Sequence, residues 1–259
     1  MRNTLYVVKV ELRRSVCSRT FLLQLGLTLI WMYLNCLEEF SSEHGAQGMF
    51  VLKLLNTALT NLRILSHLIL ILGTVSYSWS YCTDFSCGYG KEVVRRVGVR
   101  PYGVSKVIAV AASSFGAMVA AIPLFISFAL LCGFSWNSPN AMLYTGSYLS
   151  IAAEGNTFGY LVCRCLVSGI TCSLAAVVSL CASSYIRNMY VSMLIPALLY
   201  FVLEILVKAG KFSLMTVMFG QSFPDEPLRS LGWAILYLTA LILIFGRVFL
   251  FRIKKEYCP

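Results

Sequence analysis

Long runs of apolar residues without a charge set the first limit on what this chain can fold into. No Asp, Glu, Lys or Arg occurs between Lys106 and Glu154, and shorter runs of the same kind recur along the sequence. A helix needs about 20 apolar residues to cross the hydrocarbon core of a membrane. Because a helix satisfies its backbone N–H and C=O groups internally, it is the element that such runs favour in lipid. The runs predict an all-α, polytopic membrane protein.

The composition agrees with this prediction. Apolar residues make up 58% of the 259 residues and charged residues 12%, whereas soluble domains carry about 25% charged residues. The mean hydropathy is +0.77. We therefore expect a single transmembrane domain over residues 1–259. The net charge of +10 is spread between apolar runs, which indicates membrane topology and no nucleic-acid partner.

Six spans account for the charge-free runs. They are predicted near residues 20–37, 64–83, 104–133, 158–183, 189–207 and 231–251. The cluster Trp136–Asn140 predicts a turn, so the run after Lys106 is interpreted as one crossing followed by a loop.

Residues 1–19 are predicted to form an amphipathic elbow helix before the first span. Leu5, Val8, Leu12 and Val16 recur at helical spacing, while basic residues occupy other faces. Such a helix lies in the headgroup layer of a membrane, in contact with lipid.

Basic residues are distributed unevenly between the two sides of the six-span arrangement. The side that holds both termini carries 15 of the 21 Lys and Arg residues, and the positive-inside rule assigns the richer side to the cytoplasm. The fifteen are Arg2, Lys9, Arg13, Arg14, Arg19, Lys91, Arg95, Arg96, Arg100, Lys106, Arg187, Arg247, Arg252, Lys254 and Lys255. We expect a multi-pass protein of the cell membrane with cytoplasmic N- and C-termini.

The loop between the second and third spans predicts a short cytoplasmic helix. Asp84 or Ser86 can cap it, Lys91–Val97 forms its body, and Gly98 with Pro101 ends it. Two interpretations stay open. The helix either anchors the topology by snorkelling, or docks a cytoplasmic partner, with valines entering a groove and arginines meeting acidic residues. The docking candidates are Lys91, Glu92, Val93, Val94, Arg95, Arg96, Val97 and Arg100. Glu92 and Arg96 are four residues apart in the order that favours an ion pair.

The order of residues around this loop resembles the membrane subunits of type-2 ATP-binding cassette (ABC) transporters. An acidic residue after a span, a glycine, a lysine, a short apolar and basic helix and an Arg–Lys pair precede the next span. Here these positions are Asp84, Gly88, Lys91, Val93–Val97, Arg100 and Lys106. The stretch Ser183–Pro196 is similar, with a turn at Asn188 between two spans. The chain departs from the family in having Ser86 and Cys87 where a second acidic residue often follows.

The resemblance implies a permease subunit that pairs with a second permease subunit, identical or different, and with two separate cassette ATPase subunits. Lys91–Val97 would then be the coupling helix. The sequence itself has no phosphate-binding loop, because neither Gly90-Lys91 nor Gly210-Lys211 is followed by Ser or Thr. We expect that the chain is not an enzyme by itself, binds no cofactor, and relies on ATP and Mg in the partner ATPase. His44 and His67 lack metal-ligand partners at useful spacing, so no metal site is expected.

Four residues within the predicted spans are candidates for a transport pathway or gate. Arg164 and Glu204 lie near the outer ends of the fourth and fifth spans, and we hypothesise that they pair. Snorkelling to the headgroups is the alternative. Pro123 and Pro196 interrupt the third and fifth spans and act either as flex points or as static bends.

The sequence favours an exporter of an amphipathic molecule such as a drug, an antimicrobial peptide or a lipid-like cargo. The alternative is a non-transporting membrane scaffold or sensor that docks a partner through the same loop. A membrane enzyme ranks third, because the sequence contains no paired carboxylates, clustered histidines or recognisable nucleophile.

Overall fold

The computed structural model describes residues 2–41, 51–60, 68–136, 148, 151, 157–207, 213–218, 222–223 and 226–257. These residues form twelve helices and contain no strand. In chain order the helices are α1 (Arg2–Val16), α2 (Arg19–Asn35), α3 (Leu37–Ser41), α4 (Val51–Thr60), α5 (Leu68–Thr74), α6 (Ser80–Ser86), α7 (Tyr89–Val97), α8 (Val99–Leu131), α9 (Thr157–Ser183), α10 (Met189–Val207), α11 (Leu214–Met218) and α12 (Pro227–Tyr257). The prediction of an all-α protein is confirmed for the described residues.

Helices α8 and α9 form the centre of the bundle. They pack against each other, α1 and α2 pack against α8, and α5, α10 and α12 pack against α9. Most of α9 is buried, whereas most of α12 faces outward. Small residues make the close contacts in the centre, because a glycine or serine lets two helices approach without side chains between them.

Three helices in the described part of the chain are long and apolar enough to cross a membrane. They are α8, α9 and α12, and they match the predicted spans at 104–133, 158–183 and 231–251. Helices α1 and α2 meet at a bend of 51° and together add a fourth element of sufficient length. Helix α10, on the predicted span 189–207, has a shorter apolar part, Met189–Leu203. The described residues therefore support three or four membrane-length elements, and the count of six stays a prediction.

The predicted second span, 64–83, differs from the structure. Its first residues lie outside the described part, and the remainder is divided into α5 and α6 by turns at 75–79. Hydroxyl groups replace regular helical bonding at this interruption. Thr74 Oγ1 donates to the carbonyl of Ile71 at 2.7 Å, and Thr20 Oγ1 donates to the carbonyl of Ser76. Such side-chain bonds compete with the helical pattern.

The interruption is part of a polar layer between two apolar cores. Ser76 and Ser113 hydroxyls lie 3.2 Å apart, and Ser179 Oγ donates to Ser78 Oγ at 3.0 Å. One core contains the buried face of α4 with parts of α8 and α9, and the other contains Tyr77, parts of α8 and α9, and the end of α12. The layer thus connects the 75–79 interruption to α8 and α9 by hydrogen bonds at the point where the apolar packing changes.

Contacts identify the two ends of the bundle. At one, here called the α7 end, Arg187 Nη2 donates to Glu256 Oε1 at 2.7 Å, and Tyr81 donates to Glu256 Oε2 at 2.7 Å. At the other, the α4 end, Asn35 Nδ2 donates to the carbonyl of Ala58 at 3.0 Å. The turn after α9 and the last turn of α12 therefore lie together beside α6.

Gly73 tests the close approach of α5 and α9. A β-carbon at Gly73 would lie 2.8 Å from the backbone oxygen of Cys172 and 3.0 Å from its Cα, and backbone atoms cannot rotate away. We expect Gly73→Ala to lower the stability of the purified protein by roughly 1–3 kcal/mol, as other overpacked cores do. The measurement is the apparent melting temperature in detergent.

Gly26→Ala is the matched control, because nothing lies within 4 Å of a β-carbon there. Alanine favours a helix over glycine by up to about 1 kcal/mol, so the control should melt at the same temperature or slightly higher. Equal melting temperatures for the two variants would contradict the helix contact described here.

Candidate functional site

Helix α7 lies between two glycines with left-handed backbone. Gly88 precedes it with φ +72° and Gly98 follows it with φ +89°. Both values lie in the region that side chains disfavour. Helix α7 contains the predicted Lys91–Val97 and ends at Gly98 as predicted. Pro101 does not end it but lies in the first turn of α8, where a proline is well tolerated.

The two faces of α7 differ in exposure. The charged candidates Lys91, Glu92, Arg95, Arg96 and Arg100 are exposed. Together they carry a net charge of +3, four cations against one carboxylate. We call this set the basic face of α7, although Arg100 lies in the first turn of α8. Glu92 pairs with Arg95 at 3.2 Å, whereas the sequence predicted a pair with Arg96.

The valines of α7 point the other way. Val93, Val94 and Val97 are half-buried, and Val93 and Val94 pack against the chain's own core beside Tyr81 and Tyr102. The expected insertion of these two valines into a partner's groove stays a prediction. The outward surface of α7 is its charged one.

A buried ionic cluster lies next to α7. Lys106 in α8 is fully buried, and its Nζ lies 2.8 Å from Glu11 Oε2 in α1 and 2.6 Å from Asp84 Oδ2 in α6. Arg14 Nη1 lies 3.2 Å from Asp84 Oδ1. Two cations thus balance two carboxylates. Glu11, Asp84 and Lys106 are buried, whereas the Arg14 side chain is 45% exposed. The balance of charge permits the three buried ions in the interior, because a buried charge without a partner is strongly unfavourable.

Two tyrosines complete the cluster. The Tyr77 hydroxyl donates to Glu11 Oε2 at 2.8 Å, and the Tyr102 hydroxyl donates to Asp84 Oδ2 at 3.1 Å. Each carboxylate therefore receives both a cation and a phenol. We call Glu11, Arg14, Tyr77, Asp84, Tyr102 and Lys106 the ionic cluster. It joins α1, the 75–79 interruption, α6 and α8.

Helix α7 contacts the ionic cluster directly. The Arg14 guanidinium lies 4.9 Å from the centre of the Tyr89 ring. A β-carbon placed on the buried Gly90 would lie 2.9 Å from the Tyr257 hydroxyl and 3.3 Å from the Tyr102 hydroxyl. Burial, followed by the negative charge of Glu11, raises the pKa of the Tyr89 phenol, so this ring stays neutral beside Arg14. Elements α1, α8 and α12 all touch the inner side of α7.

The turn between α9 and α10 adds a second set of contacts at the α7 end. Arg187, besides its bond to Glu256, lies 3.8 Å from the centre of the Phe85 ring. Asn188 Oδ1 accepts the backbone N–H of Tyr190 at 3.0 Å at the start of α10. The sequence expectation of a short turn with Asn188 between two apolar helices is confirmed.

The predicted Arg164–Glu204 pair is not tested, because the side chain of Glu204 lies outside the described part of the chain. Arg164 is buried, and its Nη2 donates to Asn56 Oδ1 at 2.6 Å while its Nε donates to the Tyr160 hydroxyl at 3.2 Å. The Arg164 guanidinium also lies 5.9 Å from the centre of the Tyr148 ring. Burial raises the pKa of the Tyr148 phenol to about 12. Arg164 therefore connects α9 to α4.

The two proline candidates have different surroundings. Pro123 lies on the exposed side of α8, away from the centre of the bundle. Pro196 is buried in α10 and lines an apolar cavity of about 320 Å³ between α9, α10 and α12. Among Arg164, Pro123 and Pro196, the pathway candidates whose side chains are described, Pro196 is the one that lines this cavity.

Sequence reasoning missed the role of Glu11. The buried stripe of α1 is Val7, Glu11 and Ser15, whereas the predicted apolar residues Leu5 and Val16 are exposed. Glu11 is the only acidic residue in α1, and Lys106 is the last charge before the long uncharged run. These two signals, taken together, point to a pair.

The chain matches no protein-family model, and no match was found among curated proteins or solved structures. Among the described residues, no group of three His, Cys, Asp or Glu side chains is placed to hold a metal ion.

Lys106→Met tests the ionic cluster. The change removes one cation and leaves Glu11 and Asp84 buried with Arg14 alone, so we expect a loss of roughly 3–5 kcal/mol in stability. Adding Glu11→Gln restores the charge balance and should recover part of that loss. The apparent melting temperatures of wild type, both single variants and the double variant form a complete cycle.

Arg95→Gln serves as the control on the exposed surface. Its ion pair with Glu92 is solvated on both sides, and removing it should change stability by less than about 1 kcal/mol. If the Lys106 and Glu11 variants were simply additive, the cluster would not act as a unit.

Proposed function

We propose that this chain is the membrane (permease) subunit of a type-2 ABC transporter, an exporter of an amphipathic molecule driven by a separate ATPase subunit. The observation that carries the proposal is the position of α7. Its basic face is exposed, while its inner side rests on the ionic cluster. A partner bound to the basic face could displace α7, and the displacement would be transmitted to the helices that the ionic cluster joins.

The contacts of α7 indicate how its displacement would reach the other helices. Movement of α7 reaches α1 through Tyr89 and Arg14, and reaches α8 through the single residue Gly98. The Tyr257 hydroxyl of α12 lies directly beside Gly90. Because the ionic cluster ties α1 to α6 and α8, we expect these elements to move as one body.

The basic face also specifies the partner's chemistry. A surface with net charge +3 fits an acidic surface, which would speed and orient docking. We propose that this surface belongs to a cassette ATPase, which holds the ATP and Mg. A second permease subunit, identical or different, would complete the transporter.

The proposed topology follows from the same end of the bundle. Helix α1 is the elbow, with exposed Leu5, Tyr6 and Val10 facing lipid, and α7 is the coupling helix. Both termini and the α7 end lie in the cytoplasm, in line with the basic excess there. Six spans remain the proposed count, with α2 the first and α12 the last.

Charge removal on α7 tests partner docking. We expect that tagged wild-type protein, purified from its native host in mild detergent, brings down a cassette ATPase in stoichiometric amount. Arg95→Gln with Arg96→Gln should reduce that recovery at least about tenfold, since each lost interfacial charge contact weakens binding. Both side chains are exposed, so the variant should fold normally, whereas changes at Val94 would disturb the core.

Lys254→Gln with Lys255→Gln is the matched control. It removes the same charge from two exposed residues at the end of α12, and ATPase recovery should be unchanged. Equal losses in both variants would indicate a non-specific charge effect. Wild-type protein that comes out without any ATPase would overturn the proposal in favour of the scaffold or sensor.

Native cysteines test the orientation. Cys17 and Cys87 are exposed near the α7 end, and Cys132 is exposed at the end of α8. In single-cysteine variants, a membrane-impermeant maleimide added to intact cells should label Cys132, and should label Cys17 and Cys87 only after permeabilisation. The reverse pattern would place the α7 end outside and contradict the proposed topology.

A further inference from the structure

The apolar cavity that contains Pro196 is the strongest unassigned feature of the molecule. Its volume is about 320 Å³, and α5, α9, α10, α11 and α12 all contribute to its wall. Cavities of this size are at the lower end of the range for small-molecule sites. Close-packed interiors have few voids larger than a water molecule, so the space is not an ordinary packing defect.

The described lining of the cavity is mainly apolar and disfavours a charged ligand. Leu174, Ala175 and Val178 of α9 face Leu199 of α10 and Leu241 of α12, and none of the described lining residues is charged. Water needs two to four polar partners to stay in a cavity, and smaller apolar cavities in other proteins stay dry yet bind hydrocarbons. The chemistry of the wall therefore suits an alkyl chain.

The outer side of α10 connects the cavity to a hydrocarbon surface. Leu203, at one edge of the cavity, is exposed, as are Leu194, Leu198 and Phe201 on the same helix. In a membrane, acyl chains cover such a surface. Pro196 has no backbone N–H and weakens the helix at the cavity wall, which gives the wall a point of bending.

We propose that this cavity binds the hydrocarbon chain of an amphiphile that enters sideways from the membrane between α10 and α12. Tyr200 is buried in the wall and Tyr237 is partly exposed, so their rings add flat apolar surface against the chain. A role of this site in transport rests on the proposed function, because only a transporter would move the bound amphiphile. The binding itself depends only on the cavity and its contact with lipid.

A photoactivatable long-chain fatty acid, with its reactive group at the end of the chain, is the probe. The purified full-length protein in lipid nanodiscs is irradiated with the probe, and labelled peptides are mapped by mass spectrometry. We expect labels on the cavity-lining segments of α9, α10 and α12, and competition by unlabelled fatty acid.

Leu199→Trp and Leu198→Trp form a matched pair. Leu199 lines the cavity, whereas Leu198 is 61% exposed on the outer side of the same helix. Tryptophan at Leu199 should fill the cavity and lower labelling there about tenfold, because losing contact with two methylene groups already weakens binding that much. Tryptophan at Leu198 should leave it unchanged. Leu241→Trp fills the cavity from α12 and provides a second test if Leu199→Trp does not fold.

The outcomes separate this site from the proposed transporter. Labels confined to exposed residues, or equal in the Leu199 and Leu198 variants, would mean surface lipid only and would overturn the site, even if a cassette ATPase co-purifies. Cavity labelling that Leu199→Trp removes supports the site, even in a protein that carries no ATPase. When both are present, stimulation of the ATPase by the fatty acid, lost with Leu199→Trp, supports the cavity as the cargo site.

Discussion

The pairing of Lys106 with Glu11 and Asp84 is the interaction on which the α7 end of the molecule depends. The three residues come from α8, α1 and α6, and each is buried. A buried ion requires its partners, because the alternative is an uncompensated charge in an apolar interior. The positions of the three helices are therefore coupled. If one of the three helices moved away, the buried charges on the other two would be left without a full set of partners.

This coupling contrasts with the middle of the bundle. There the 75–79 interruption contacts α8 and α9 through hydrogen bonds between neutral hydroxyl groups, such as Ser76 with Ser113 and Ser78 with Ser179. Hydroxyls rotate and exchange partners at little energetic cost, unlike buried ions. Movement applied at α7 should therefore leave the ionic cluster intact and be taken up in the polar layer. The apolar cavity lies beyond the polar layer, so a rearrangement of the layer would alter the walls of the cavity.

The sequence predicted the helices whose position depends on strong signals within the helix itself or at its ends. The charge-free runs placed α8, α9 and α12, and Gly98 marked the end of α7, because length and a left-handed glycine leave few alternatives. The break at 75–79 was missed because serine and threonine barely lower the hydropathy of a span. Glu11 was missed because the apolar residues of α1 suggested the wrong face. Its burial depends on the ion pair with Lys106, 95 positions away in the sequence. A pattern of neighbouring residues cannot reveal a contact between residues that far apart.

Segment 84–106 shows why counting charges along the sequence does not locate the ionic cluster. Asp84 and Lys106 are buried and neutralise charges within the bundle, while Arg95 and Arg96 remain in solvent. The positive-inside count treats all of these cations alike, and leaving Lys106 and Arg14 out does not remove the excess on that side. The exposed cations lie on the outer side of α7, and the buried Lys106 holds the helices behind it. Since α7 lies between the two groups, any force on the exposed charges acts directly on the helices that the buried charges hold together.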